Sequence, residues 1–159
     1  MAYIISTPRV GAQPIAVTNT SALHPLGTIV TAVDPVYGEG EFIYLTGVAS
    51  TAVGDMVVIG KGTTTRSLTT TRGPVGVAMS ANVANQYGWY QIAGQAVVNT
   101  AGSVADNAVV YATATATAGA ADDAVVAGAQ VDGAVFRGAV TGAGTAVIVI
   151  DRPTMDAQG

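Results

Sequence analysis

The sequence predicts an all-β fold: a small antiparallel β-barrel or sandwich with an extended N-terminal arm. Three observations carry that expectation. Apolar residues recur with a period of two in short runs rich in β-branched side chains. Gly, Pro, Asp and Asn punctuate those runs at turn spacing. No stretch keeps apolar residues at i, i+3, i+4 and i+7 over ten or more positions, as an amphipathic helix needs.

Taken in order, the strand candidates are "GTIVTAV" (27–33), "EFIYLTGV" (41–48), "DMVVIG" (55–60), "VGVAMSA" (75–81) and residues 87–98. They continue with "NAVVYATAT" (107–115), "DAVVAGAQV" (123–131), "AVFRGAVTG" (134–142) and "TAVIVID" (145–151). Turn chemistry separates them: "YGEGE", "GKGTTT", "RGP", "NTAGS", "GAADD", "VDG" and "TGAG". The alanine-rich 103–129 region alternates Thr with Ala and is broken by Gly and two Asp, so it reads as strand, turn, strand. One short helix is expected near Ser80–Asn85. Residues 1–26 hold Pro8, Pro14 and Pro25, which remove ladder donors and favour extended geometry. The expected division is an arm at 1–26, a barrel core at 27–151 and a tail at 152–159.

Residues 51–70 and 102–121 echo one another: Asp55 aligns with Asp106, Val58 with Val109 and Ile59 with Val110. Two copies of a β-hairpin unit in one barrel would give this pattern. Chance similarity in so Ala- and Val-rich a chain would give it too.

Composition narrows function. Only 10 % of the 159 residues are charged, although 50 % are hydrophobic; ordinary soluble domains carry about 25 % charge. Either a neutral polar surface faces water or other subunits cover much of it. The net charge is -4 and the six basic residues are scattered, so nucleic-acid binding, which rests on phosphate attraction, is disfavoured. There is no cysteine, which removes disulfides, thiol catalysis and cysteine-ligated zinc. The N-terminus lacks the basic and apolar regions of a signal peptide. Apolar runs such as "TAVIVI" fall short of the ~20 residues of a membrane helix.

Catalytic groups are sparse. His24, the single histidine, lies in "SALHPLG" and reads as a loop or interface residue. No "GxSxG" elbow occurs. The acidic residues flank expected turns. "ADDA" lacks the oxygen-rich frame of a calcium loop, Glu39 and Glu41 are a weak glycosidase pair, and "GKGTTTR" lacks the phosphate-loop frame. The expectation is a protein that is not an enzyme, with no cofactor and no metal.

The ribbon "GVAMSANVANQYGWYQIAGQAVV" (76–98) holds the single tryptophan and no charge. On a strand, Tyr87, Trp89 and Gln91 share one face and Tyr90 and Ile92 the other. The first face fits a subunit interface, where aromatics gather and charge is depleted. It fits equally a plug in which Trp89 closes one end of the barrel.

The order "GDMVVIG … GPVGVAMSANVANQYGWYQIAGQAVV … VADNAVVYAT … GAVTGAGTAVIVIDRP" resembles the capsid cement, or head decoration, proteins of tailed bacteriophages, over roughly residues 41–153. The resemblance implies a structural virion protein: a homotrimer on the outer capsid surface, made in the bacterial host cytoplasm, that staples major capsid protein subunits. With the composition it singles out Tyr3, Ile4, Ile5, Arg9 and His24 as capsid contacts and Tyr87, Trp89 and Gln91 as subunit contacts. The expected partners are the major capsid protein and further copies of the chain, with no nucleic acid and no membrane. The alternative is a carbohydrate-binding β-sandwich module of a fibre or cell-surface protein, with Trp89 and Tyr87 stacked on a sugar ring.

Overall fold

The computed structural model describes residues 4–5, 13–114 and 117–155. It is an all-β structure. The strands are β1 (Ile4–Ile5), β2 (Ile29–Asp34), β3 (Gly38–Thr46), β4 (Met56–Ile59), β5 (Thr64–Arg66) and β6 (Gly73–Ala78). They continue with β7 (Tyr87–Thr100), β8 (Val109–Ala112), β9 (Ala121–Asp122), β10 (Gln130–Arg137) and β11 (Gly144–Met155). They form one sheet in the order β1-β2-β3-β7-β9-β8-β10-β11-β6-β4-β5, with further pairings of β7 to β11 and to β6. The sheet thereby curls into a partial ring.

Two long strands make the frame. β7 and β11 run antiparallel from Thr100–Gly144 to Ala93–Asp151. Ala96 and Val98 of β7 and Ala146, Ile148 and Ile150 of β11 alternate inward. There they meet Val110, Ala112, Ala134 and Phe136 from β8 and β10 in the main core. Beyond Ala93 and Asp151 the two strands part, and β6 fills the fork. Gly73 and Pro74 pair with Met155 and Thr154 of β11, while Val77 and Ala78 pair with Gln91 and Tyr90 of β7.

Local chemistry shapes the fork. Gly94 has φ +98, and a Cβ there would lie 2.4 Å from the Glu39 carbonyl oxygen, so only glycine fits. Glu41 pairs with Ala93 and Phe42 with Gln91, which leaves Ile92 as the extra residue of a β-bulge. On the other prong Arg152 has φ +44, and Pro153 has no N–H to donate.

The front half of β7 is buried on both faces. Trp89 joins Ile15, Val30, Ala32, Phe42, Tyr44 and Met79 in a second core. Tyr90 joins Leu45, Val57 and Ala78 in a third.

Several expectations shift. The expected strand 123–131 begins only at Gln130, because Asp122 Oδ1 accepts hydrogen bonds from the backbone N–H of Asp123 and Ala124 and turns the chain there. No helix forms at Ser80–Asn85. Asn85 takes φ +61, and Asn82 turns inward to donate from Nδ2 to the Tyr90 hydroxyl at 2.9 Å. "GKGTTT", expected as a turn, contains the start of β5, since Gly60 N–H bonds the Thr63 carbonyl at 2.8 Å and closes a hairpin. The expected core boundary at residue 151 falls inside β11, whose last residue, Met155, is fully buried. Both echoing segments form hairpins, β4 with β5 and β8 with β9.

Candidate functional site

Tyr3 and Arg9, expected as capsid contacts, lie outside the described residues. Ile4 and Ile5 form β1, in register with Val33 and Ala32 of β2. His24 belongs to a strap, residues 13–27, that crosses the outside of β3 and β7.

Ile15 is the strap's single fully buried residue, and it reaches the second core. Asn19 and Tyr87 exchange two backbone hydrogen bonds, 2.9 and 2.8 Å. The Tyr44 hydroxyl accepts from Leu23 N–H at 3.2 Å. The His24 ring stands edge-on to Tyr44, 5.1 Å between centroids, and tilted on Trp89 at 5.5 Å. Its Nε2 lies 2.7 Å from Gln13 Oε1. A turn follows: Thr28 N–H bonds the Pro25 carbonyl at 3.1 Å, with Gly27 at φ +86, the positive φ that a type II turn requires at its third residue.

The strap settles where the three expected interface residues lie. Trp89 and Gln91 are 0 % exposed, and Tyr87 is half-buried, stacked on Tyr44 at 6.4 Å. The Trp89 face therefore points into the strap and the second core, not out of the chain. Gln91 is a backbone staple: its Nε2 donates to the carbonyls of Ala93 at 3.1 Å and Gln95 at 2.9 Å, spanning the Gly94 kink. Beneath the strap, Trp89 Nε1, Gln13 Nε2 and Asn19 Nδ2 are buried without a hydrogen-bond partner among the described residues.

The fork creates a second feature, which the sequence did not single out. Ile29, Ile43, Ile59, Ile92 and Pro153 line an apolar cavity of about 220 Å³ beside Arg152. The Arg152 Nη2 reaches Glu41 Oε2 at 2.6 Å. Outward alternation at Ile29 and Ile43 is visible in sequence, but the bulge that adds Ile92 arises in the pairing of β3 with β7.

The polar groups serve the fold. The Asp55 carboxylate, 2 % exposed, accepts from Ala52 N–H, Arg66 Nε and Asn99 Nδ2, each at 2.9 Å, and so ties β4, β5 and β7 together. Asp106 accepts from Gly138 N–H at 2.7 Å, and its neighbour Asn107 accepts from Arg137. Asp123 accepts from Ala105 N–H at 2.8 Å. Burial pushes the Tyr90 phenol above its ordinary value, against the opposing pull of hydrogen bonds with Thr64 and Asn82. Among the described residues, no three His, Asp or Glu side chains gather as a metal site, and no helix is long and apolar enough to cross a membrane. The chain matches no protein-family model, no curated protein and no solved structure.

Proposed function

We propose that this chain is a capsid cement protein, which binds the outer surface of a phage head as a trimer and stabilises contacts between major capsid protein subunits. The observation that carries the reading is the surface. Ten per cent of the chain is charged, and large apolar side chains stand exposed at separate places, Val36 at 77 % and Val125 at 81 % among them. So low a share of charge is what interfaces favour, since charged residues are depleted at their centres. The segments that carry the resemblance fall on β4, β6, β7, β8 and β11, all strands of the partial ring.

The mechanism is mass action. A protein that binds the assembled shell but not free subunits stabilises the shell by RT ln(1 + [L]/Kd) per site. Many sites on one lattice sum. The strap and β1 supply contact surface, and no bond is made or broken. The chain is made in the host cytoplasm and ends on the virion.

The test is co-sedimentation with intact phage heads stripped of their own decoration, alongside light scattering of the free protein. Saturable binding, a trimer mass and a raised disruption temperature of decorated heads are expected. Heads that pellet without the protein at every concentration sink the reading. Deleting residues 2–20 is expected to weaken binding. The sugar-binding alternative ranks second because it needs Trp89 on the surface, and the strap covers it.

A further inference from the structure

We infer that the strap is exchanged between copies: residues 13–24 leave their own chain and seat on the Phe42–Tyr44–Trp89 face of a second copy.

Four observations lead there. First, the seat must stay covered. Phe42, Tyr44 and Trp89 are all 0 % exposed, and opening three aromatic rings to water is strongly unfavourable. The cover that fits this seat is already known in detail, because it is the strap itself.

Second, the strap is weakly held. Only Ile15 of residues 13–27 is fully buried. Its hydrogen bonds to the sheet are few: the Asn19–Tyr87 bridge, Leu23 N–H on the Tyr44 hydroxyl and Gly27 N–H on the Tyr44 carbonyl. Three donors where it meets the sheet, Trp89 Nε1 below and its own Gln13 Nε2 and Asn19 Nδ2, find no acceptor among the described residues. An element with few buried contacts and unsatisfied donors opens ahead of the rest of a fold.

Third, the outer side of the strap is apolar as well. Val17, Leu23 and Leu26 are 41 %, 56 % and 44 % exposed. A segment with apolar groups on both sides fits between two bodies better than on the rim of one. In an exchanged assembly these side chains lie where two copies meet.

Fourth, a hinge exists. The turn between strap and β2 closes on Gly27 at φ +86, with nothing within 4 Å of a Cβ placed there. Glycine takes up extended backbone as readily as this positive φ, so straightening the turn requires that the Gly27 N–H bond to the Tyr44 carbonyl, 2.8 Å, should open. The exchanged strap remakes every contact of the closed one on the neighbour. The balance is then set by hinge strain, the new Leu23–Leu26 contact and protein concentration. Reciprocal exchange gives a dimer, and head-to-tail exchange that closes gives a ring.

The absence of cysteine makes the test clean. Asn19 and Tyr87 are a hydrogen-bonded antiparallel pair, whose Cα atoms stand about 5.5 Å apart, within disulfide range. The double variant Asn19→Cys/Tyr87→Cys is refolded at low and at high protein concentration, oxidised and run on a non-reducing gel. Each single variant is the control for random crosslinking. Exchange predicts covalent dimers or trimers that grow with refolding concentration and require both cysteines. Intrachain-bridged monomer at every concentration overturns the inference.

A second arm leaves the seat untouched. Gly27→Val strains the closed turn but not the straightened one, so the oligomeric share by light scattering is expected to rise several-fold; an unchanged share overturns the inference as well. Both arms use purified protein without phage heads. Their failure leaves the cement reading standing, and loss of head binding leaves strap exchange standing.

Discussion

Single side chains decide more here than their number suggests, because so few are charged. Asp55 holds three donors from three parts of the chain. Asp55→Ala leaves the partly buried Arg66 without its counter-charge and is expected to lower unfolding stability by about 3 kcal/mol, read from urea denaturation. Arg66→Ala is expected to cost less, since Asp55 keeps two donors. Tyr90 gives a pH prediction whose sign follows from burial. The fold favours the neutral phenol, so its raised value adds stability that is intact below the ordinary tyrosine value of about 10 and fades as pH rises through the folded value. In Tyr90→Phe that alkaline fall should flatten, at a neutral-pH cost of about 1 kcal/mol for the lost Asn82 bond. Denaturation midpoints at pH 8 to 11.5 check it, and identical alkaline slopes for the two proteins would refute it. The sequence marked Asp55 as a turn residue but not as a hub, since Arg66 and Asn99 reach it through tertiary folding.

At the scale of elements, the fork between β7 and β11 governs the shape. Gly47 and Gly94 are fixed by close backbone. A Cβ at Gly47 would fall 1.9 Å from the Asn82 carbonyl oxygen, and one at Gly94 2.4 Å from that of Glu39. Gly47→Ala and Gly94→Ala are each expected to lower the melting temperature sharply. Gly144→Ala, with nothing within 4 Å of its Cβ, should stay within about 0.5 kcal/mol of the parent. Equal melting temperatures for all three would contradict this account of the two close approaches. Most strands were legible from alternation and turns; Ala96 and Val98, then Ala146, Ile148 and Ile150, mark the inward face plainly. What stayed hidden depends on neighbours: the bulge at Ile92, the left-handed Arg152 and the two-sided burial of Trp89 and Tyr90. Period-two reasoning assigns Trp89 a face correctly, but it cannot say that the chain's own residues 13–27 cover that face.

Across the whole molecule, pairing is non-local. β7 bonds to β3, β6 and β11, so distant segments must meet before the frame exists. Refolding is therefore expected in the slow range of β-rich domains, milliseconds to seconds, as stopped-flow Trp89 fluorescence would show. For the proposed cement role, a charge-poor exterior also predicts that binding to heads survives high salt, because little of it can be screened. A steep fall in co-sedimentation between about 0.05 and 0.5 M salt would speak for ionic contacts instead. Fold class could be read from the chain at this scale, and which apolar groups stand exposed, Val36 and Val125 among them, could not.

The terminal strand has a mechanical meaning. β11 runs between β7 and β10 and ends buried at Met155, with its ladder bonds crosswise to its length. A pull along that strand from its far end strains those bonds in shear, many at once, where peeling would open them one by one. That geometry resists a pull along β11 better than a load that lifts the strap.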